Sequence, residues 1–326
     1  MNVRLAISVL ALLFSLVLNG QDYRPGQYWV YYVRYNPALM YANNNINVVI
    51  GHRVQWVVIG GGYKSYTVQA LVPVFRDRDS KMDFGISGVQ DVAGAYVVRD
   101  ARAMLAFSRS ISDRLGVSVS FMGGYVSRMF DSEGLLWEDQ YVDGVASFKN
   151  QTIEGDISSK AGYPRVGAGL LFWAESRDGF SGYIGISVDN LNEPNTAHLT
   201  ESVSFRGIRY TGVLFVKMSL GVDGSYVGGG FYKWHEGGVW EEGYGFQIRY
   251  NEIEEGDVHI FGALWYRTNR SMVLGIGGGY RWIDIYYSYE LPFGHLASRF
   301  PTVNTHEISV SFNFRRFDRS EEPPLF

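Results

Sequence analysis

The stretch "NTHEISVSFNFRRFD", residues 304–318, decides the fold. Ile308, Val310, Phe312 and Phe314 fall on one side of an extended chain, and Ser309, Ser311 and Asn313 fall on the other. That alternation marks a strand with one apolar and one polar face. Only a charged tail, 315–326, expected to be periplasmic, follows it. The question is which strand pairs with it, and whether its apolar face meets a core or lipid.

Working outward, the same kind of segment recurs along the chain. A first strand lies within 45–59, followed by 67–74, 82–90, 102–111, 115–126, 162–174 and 182–189. The series continues with 207–217, 223–234, 240–250, 256–267, 271–280 and 281–290. In 115–126, Val117, Val119 and Phe121 alternate with Ser118, Ser120 and Met122. Clusters of turn-forming residues separate the segments, and no helical period of similar strength competes. With the closing segment this makes about fourteen strands.

Composition narrows the setting. The chain has 326 residues, with 8 Trp, 23 Tyr, 20 Phe and 39 Gly, a net charge of −4 and no Cys. Such a balance leaves no basic footprint for nucleic acid. It also excludes disulfides, thiolate metal sites and lipidation on cysteine. Residues 1–20 have one basic residue, Arg4, then an apolar run from Leu5 to Leu18, then Asn19 and Gly20. This is the layout of a cleaved signal peptide, so the mature chain is expected to begin near Gln21. A membrane anchor needs about 20 apolar residues, and this run is shorter.

Strands in an up-and-down series must close on themselves or leave unpaired edges. A soluble sandwich or propeller is one solution. Three features favour an all-β transmembrane antiparallel barrel over 45–314. Many segments are near the roughly 9–11 residues that a tilted strand needs to cross a bilayer. Their polar positions are Ser, Gly, Asn and Tyr, and aromatics gather near strand ends, as in interfacial girdles. The long connections 127–163, 189–207 and 290–304 all follow odd-numbered strands, whereas the short charged ones, 76–81, 112–114 and 175–178, follow even ones. Outer-membrane barrels sort extracellular loops from periplasmic turns in this way. The last strand then pairs with the first, Phe312 and Phe314 face lipid, and no edge is open in hydrocarbon.

Several short motifs are more specific. The segment "YNPALMYANNNINVVIGHRVQW" (35–56) carries Asn36, Pro37 and Ala38, then Arg53, Gln55 and Trp56 near the end of a strand. Further on come "VDNLNEPN" (188–195) with Asn190, Leu191 and Pro194, "GALWYR" (262–267), "YSYE" (287–290) with Tyr287 and Tyr289, and "THEI" (305–308) with His306 and Glu307. In this order across the mature chain they resemble the PorP/SprF family of type IX secretion and gliding machinery. The chain departs from the family pattern at Leu39, Met40 and Tyr41, where a small residue and Gly are usual, at Glu290, where Asp is usual, and at Asn304 and Thr305, where Gly-Ser is usual. The resemblance implies a non-catalytic outer-membrane barrel that helps export, or anchor at the surface, a secreted adhesin-like protein. It also implies contact with outer-membrane lipids and with periplasmic or peptidoglycan-associated components of the machinery. A passive porin or solute transporter is the alternative, and an outer-membrane enzyme is a third.

Chemistry that would support an enzyme is not assembled. Glu307 and Ser309 share one face of a strand and His306 the other, so the three cannot form a triad; hydrogen bonding of His306 and Glu307 at the barrel rim is expected. The Gly runs 60–62, 228–230 and 277–279 lack phosphate-loop spacing and a following helix. No cofactor is expected. Asp131, Glu133, Glu138, Asp139, Asp143, Glu154 and Asp156 in the longest loop are oxygen donors of the type Ca²⁺ takes, although a solvated loop face has the same composition. That loop also carries Leu135, Leu136, Trp137, Tyr141 and Phe148, which suit either contact with a partner protein or an inward fold that plugs the barrel. The segment 21–44 is expected to be periplasmic or to dock in the lumen.

Overall fold

The computed structural model describes residues 23–56, 62–131, 135, 137–142, 145–146, 159–197, 204–221, 225–251, 258–268, 271–293 and 304–314. Its strands are β1 (Ile46–Gln55), β2 (Tyr63–Arg76), β3 (Ser80–Ala93), β4 (Tyr96–Ser112), β5 (Leu115–Phe130), β6 (Tyr141–Val142), β7 (Val145–Ala146) and β8 (Ser159–Glu175). They continue as β9 (Phe180–Asp189), β10 (Arg209–Ser219), β11 (Tyr226–Glu236), β12 (Val239–Asn251), β13 (Val258–Arg267), β14 (Ser271–Tyr280), β15 (Ile283–Pro292) and β16 (Thr305–Phe314). Strands β6 and β7 form a small hairpin in the connection between β5 and β8, and the other fourteen close into one antiparallel barrel. The closing seam runs from Ile46 opposite Phe314 to Gln55 opposite Thr305.

Alternation builds the wall as the sequence leads one to expect. Ile308 and Phe314 are exposed on the outside, while Glu307, Ser309 and Ser311 are buried inside. The same contrast separates outward Ile50, Phe121 and Ile276 from inward Thr67, Gln69, Ser118 and Ser120. The strands foreseen at 67–74, 102–111 and 162–174 run further at both ends, because the backbone ladder continues where the side-chain alternation is broken. At 14–17 residues, β2, β3, β4, β5 and β8 exceed a bilayer crossing and stand clear of the hydrocarbon on the side of the long connections. Phe312 faces outward near the other end of β16, where its ring lies 6.0 Å from Trp282 in an aromatic girdle.

Candidate functional site

Residues 23–44, "YRPGQYWVYYVRYNPALMYANN", fill the barrel interior. Ten of the fourteen residues from Tyr28 to Tyr41 are large and apolar or aromatic, a composition that cannot remain solvated. Tyr28 packs on Tyr232 and Trp265 with ring centroids 5.4 and 4.7 Å away, and Tyr41 stacks on Trp173 at 4.5 Å. Tyr31, Val33, Leu39 and Met40 are fully buried. The wall leaves room where it must: a Cβ at Gly51 would lie 1.7 Å from the Tyr31 hydroxyl, and one at Gly275 would lie 2.3 Å from the Trp29 ring. Burial pushes the phenols of Tyr28, Tyr32 and Tyr41 above their ordinary range, so they stay neutral.

The Asn36-Pro37-Ala38 motif fastens the middle of this segment. Asn36 caps a 3-10 turn, Pro37–Ala42, by accepting from the Ala38 N–H at 3.0 Å, and Pro37 sits where no amide donor is needed. The Asn36 amide also donates to the carbonyls of Leu170 and Ile186, at 3.2 and 3.1 Å, on adjacent strands β8 and β9. Gly169 and Gly185 make that approach possible, since a Cβ on either would fall within 3 Å of the Asn36 side chain. Past the turn, Lys81 donates to the carbonyls of Met40, Tyr41 and Asn43, joining the Asn43 N–H that closes the turn on the Met40 carbonyl at 2.9 Å.

Charge complementarity holds the other half. The segment contains two arginines and no acid. Arg24 pairs with Glu241 at 2.8 Å and lies over the Trp234 ring. Arg34 pairs with Asp100 at 3.0 Å, joining a cluster with Arg102, Arg165 and Asp189. Glu307 accepts from the backbone N–H groups of Gly26 at 2.6 Å and Gln27 at 3.2 Å, and the Gln27 side chain donates to the Glu307 carbonyl at 3.0 Å. Arg53 donates to Glu290 at 2.8 Å, and Arg267 reaches both Glu290 and the Pro25 carbonyl. Buried ions paired and hydrogen-bonded in this way are expensive to separate.

Glu307 hydrogen-bonds as expected, but inward: it is 2% exposed and grips the N-terminal segment. Its partner was not foreseen because the segment that covers it is 280 residues away in sequence. Glu307→Ala removes a charge-assisted acceptor worth about 1.5–3 kcal/mol per bond. We expect the barrel to stay heat-modifiable while amide exchange in residues 24–35 speeds up. Unchanged exchange there would show that Glu307 does not hold the segment.

The remaining motif residues are structural and dispersed. Gln55 accepts from Arg53 at 3.0 Å, and Trp56, at φ 57°, meets Tyr63 edge-on after β1. Asn190 adopts φ 58° and donates to Glu236 and the Gly207 carbonyl; Leu191 is exposed, while Pro194 is buried. On the outer wall Tyr287 shares a 2.7 Å hydrogen bond with His306, and the ring of Tyr289 lies 5.0 Å from that of His306. In the long loop Leu135 is exposed, the Trp137 N–H donates to Gln140, and Tyr141 begins the β6–β7 hairpin. Leu136 and Phe148 lie outside the described residues, as do Glu133, Asp143, Glu154 and Asp156. Among the described residues no group of three His, Asp or Glu is placed to hold a metal ion. Gln27, Arg34, Lys81, Asp100 and Glu241 carry no motif signal; the Asn36-Pro37-Ala38 motif pointed to this region, and the aromatic density of 28–41 is a second signal that could have.

A family model described as "Type IX secretion system membrane protein PorP/SprF" matches residues 17–312. No curated protein matches the chain. Among solved structures, the Pseudomonas putida toluene transporter TodX is similar at 10% identity and TM-score 0.53, over 90% of this chain and 95% of that one. A Pseudomonas aeruginosa FadL homologue is similar at 12% identity and TM-score 0.47, over 86% and 92%. At such identity the TodX likeness shows the barrel fold.

Proposed function

The chain belongs to the PorP/SprF family of type IX secretion system membrane proteins and is an outer-membrane β-barrel; from that premise we propose that it is a plugged, non-catalytic accessory of secretion. In this role it helps export, or holds at the surface, a secreted adhesin-like protein, and the barrel is a rigid platform in place of a conduit. The observation that carries the reading is the filled lumen. A porin needs an open aqueous channel, and here residues 23–44 occupy the interior with both arginines paired to wall carboxylates. Such a platform would present its docking surface on the long outer connections, where Leu135 is exposed. Periplasmic or peptidoglycan-associated components would meet the opposite end.

Deleting the gene tests this. Surface display of a type IX substrate falls in the deletion strain, and trimming 133–149 lowers display while leaving a folded barrel. Normal display combined with a defect in small-solute uptake would overturn the secretion role and promote a transporter, the activity named for TodX.

A further inference from the structure

The outer wall is not uniformly covered by side chains. Where β16, β1, β2, β3, β4 and β5 run side by side, a groove of about 680 Å³ opens toward the lipid. That is within the roughly 300–1,000 Å³ of ordinary ligand sites. The strand registers show how it arises. One cross-strand row reads Val310, Ile50, Val68, Gly88, Ala101 and Tyr125, each opposite the next. Gly88 and Ala101 have almost no side chain, so the wall dips between Val68 and Tyr125. Below them Ala103 lies opposite Gly123, and a Cβ at Gly123 would meet open space.

The next row toward the outer end is polar. It passes through His52, Tyr66, Gln90 and Arg99, with His52 and Tyr66 stacked at 4.7 Å. Arg99 is exposed and donates to the Gln90 side-chain oxygen at 2.9 Å. Among the described residues it has no carboxylate partner. An exposed guanidinium at the mouth of an apolar groove is a stable arrangement if an anion sits beside it.

We propose that this groove binds an acyl chain of a phosphorylated outer-leaflet lipid, with Arg99 holding the phosphate. Lipid is the occupant because the face points into the bilayer and no water is available there to fill the dip. The phosphate follows from the position of Arg99, one row above the apolar floor, at headgroup level. The proposal is independent of the secretion role.

Native mass spectrometry of the full-length barrel in detergent tests it with three probes: diphosphoryl lipid A, its dephosphorylated form and phosphatidylcholine. The wild type retains diphosphoryl lipid A under conditions that strip phosphatidylcholine. Ala101→Trp fills the groove from outside and lowers retention about tenfold; Gly88→Leu does the same by a second route, and heat modifiability verifies both folds. Arg99→Gln keeps the chain site but abolishes the preference for the diphosphoryl form. Retention unaffected by both groove-filling variants, or a phosphate preference that survives Arg99→Gln, would overturn the assignment. So would a photo-crosslinker at position 88 that labels protein and no lipid in native membranes.

Discussion

A barrel lacking residues 23–44 conducts ions in a planar bilayer, and the full chain under the same voltage does not. Small barrels of about eight strands are filled by their own side chains, and those of about 16–18 leave a channel. Fourteen strands fall between, and this wall lines its interior with Ser, Thr, Gly and paired ions beside a belt of large side chains that includes Trp173, Tyr232, Trp234 and Trp265. Tyr28, Tyr31, Tyr35 and Tyr41 supply the bulk that the wall does not. Deletion removes them and returns Asp100, Glu241 and Glu307 to water, where solvation offsets the lost ion pairs. The seam from Ile46–Phe314 to Gln55–Thr305 does not use the segment, so the barrel stays closed, as heat modifiability would verify. A full chain as conductive as the deletion, or a folded deletion that remains silent, would refute the plug. Asn36→Ala should give an intermediate record of brief openings, because it cuts both bonds to the β8 and β9 carbonyls without removing bulk.

Ile276→Arg is expected to lose most of the folded barrel. Ile276 is 65% exposed near the middle of β14, where its side chain meets the bilayer core. Arginine at that depth costs about 2–4 kcal/mol, a large part of a typical stability of about 5–15 kcal/mol. Phe312→Arg is milder although it also faces lipid, because it sits in the girdle with Trp282 and Phe314, where a long cationic side chain reaches the headgroups. Denaturant titration in vesicles measures both. Equal losses at 276 and 312 would mean that the depth assignment along the strands is wrong.

The sequence by itself determined the wall. Ile308, Ser309, Val310 and Ser311 alternate because one face of a membrane strand meets hydrocarbon and the other a polar interior, a contrast written into every second residue. Strand number and closure of the last strand on the first follow from that local period, and the lengths of the connections between strands assign their sides. Asn36, Pro37 and Ala38 were legible as a motif, whereas the cap that Asn36 makes on the Ala38 N–H was read only from the structure. Only the tertiary structure decided what occupies the lumen. The bonds that seat residues 23–44 join Gln27 to Glu307, Arg34 to Asp100 and Lys81 to Met40, across separations that no periodicity records. The full strand lengths were hidden too, because the ladder continues where the side-chain alternation is broken. The groove around Gly88 and Ala101 shows the same limit: six strands line it, and register alone brings the small residues of three of them, β3, β4 and β5, into one place.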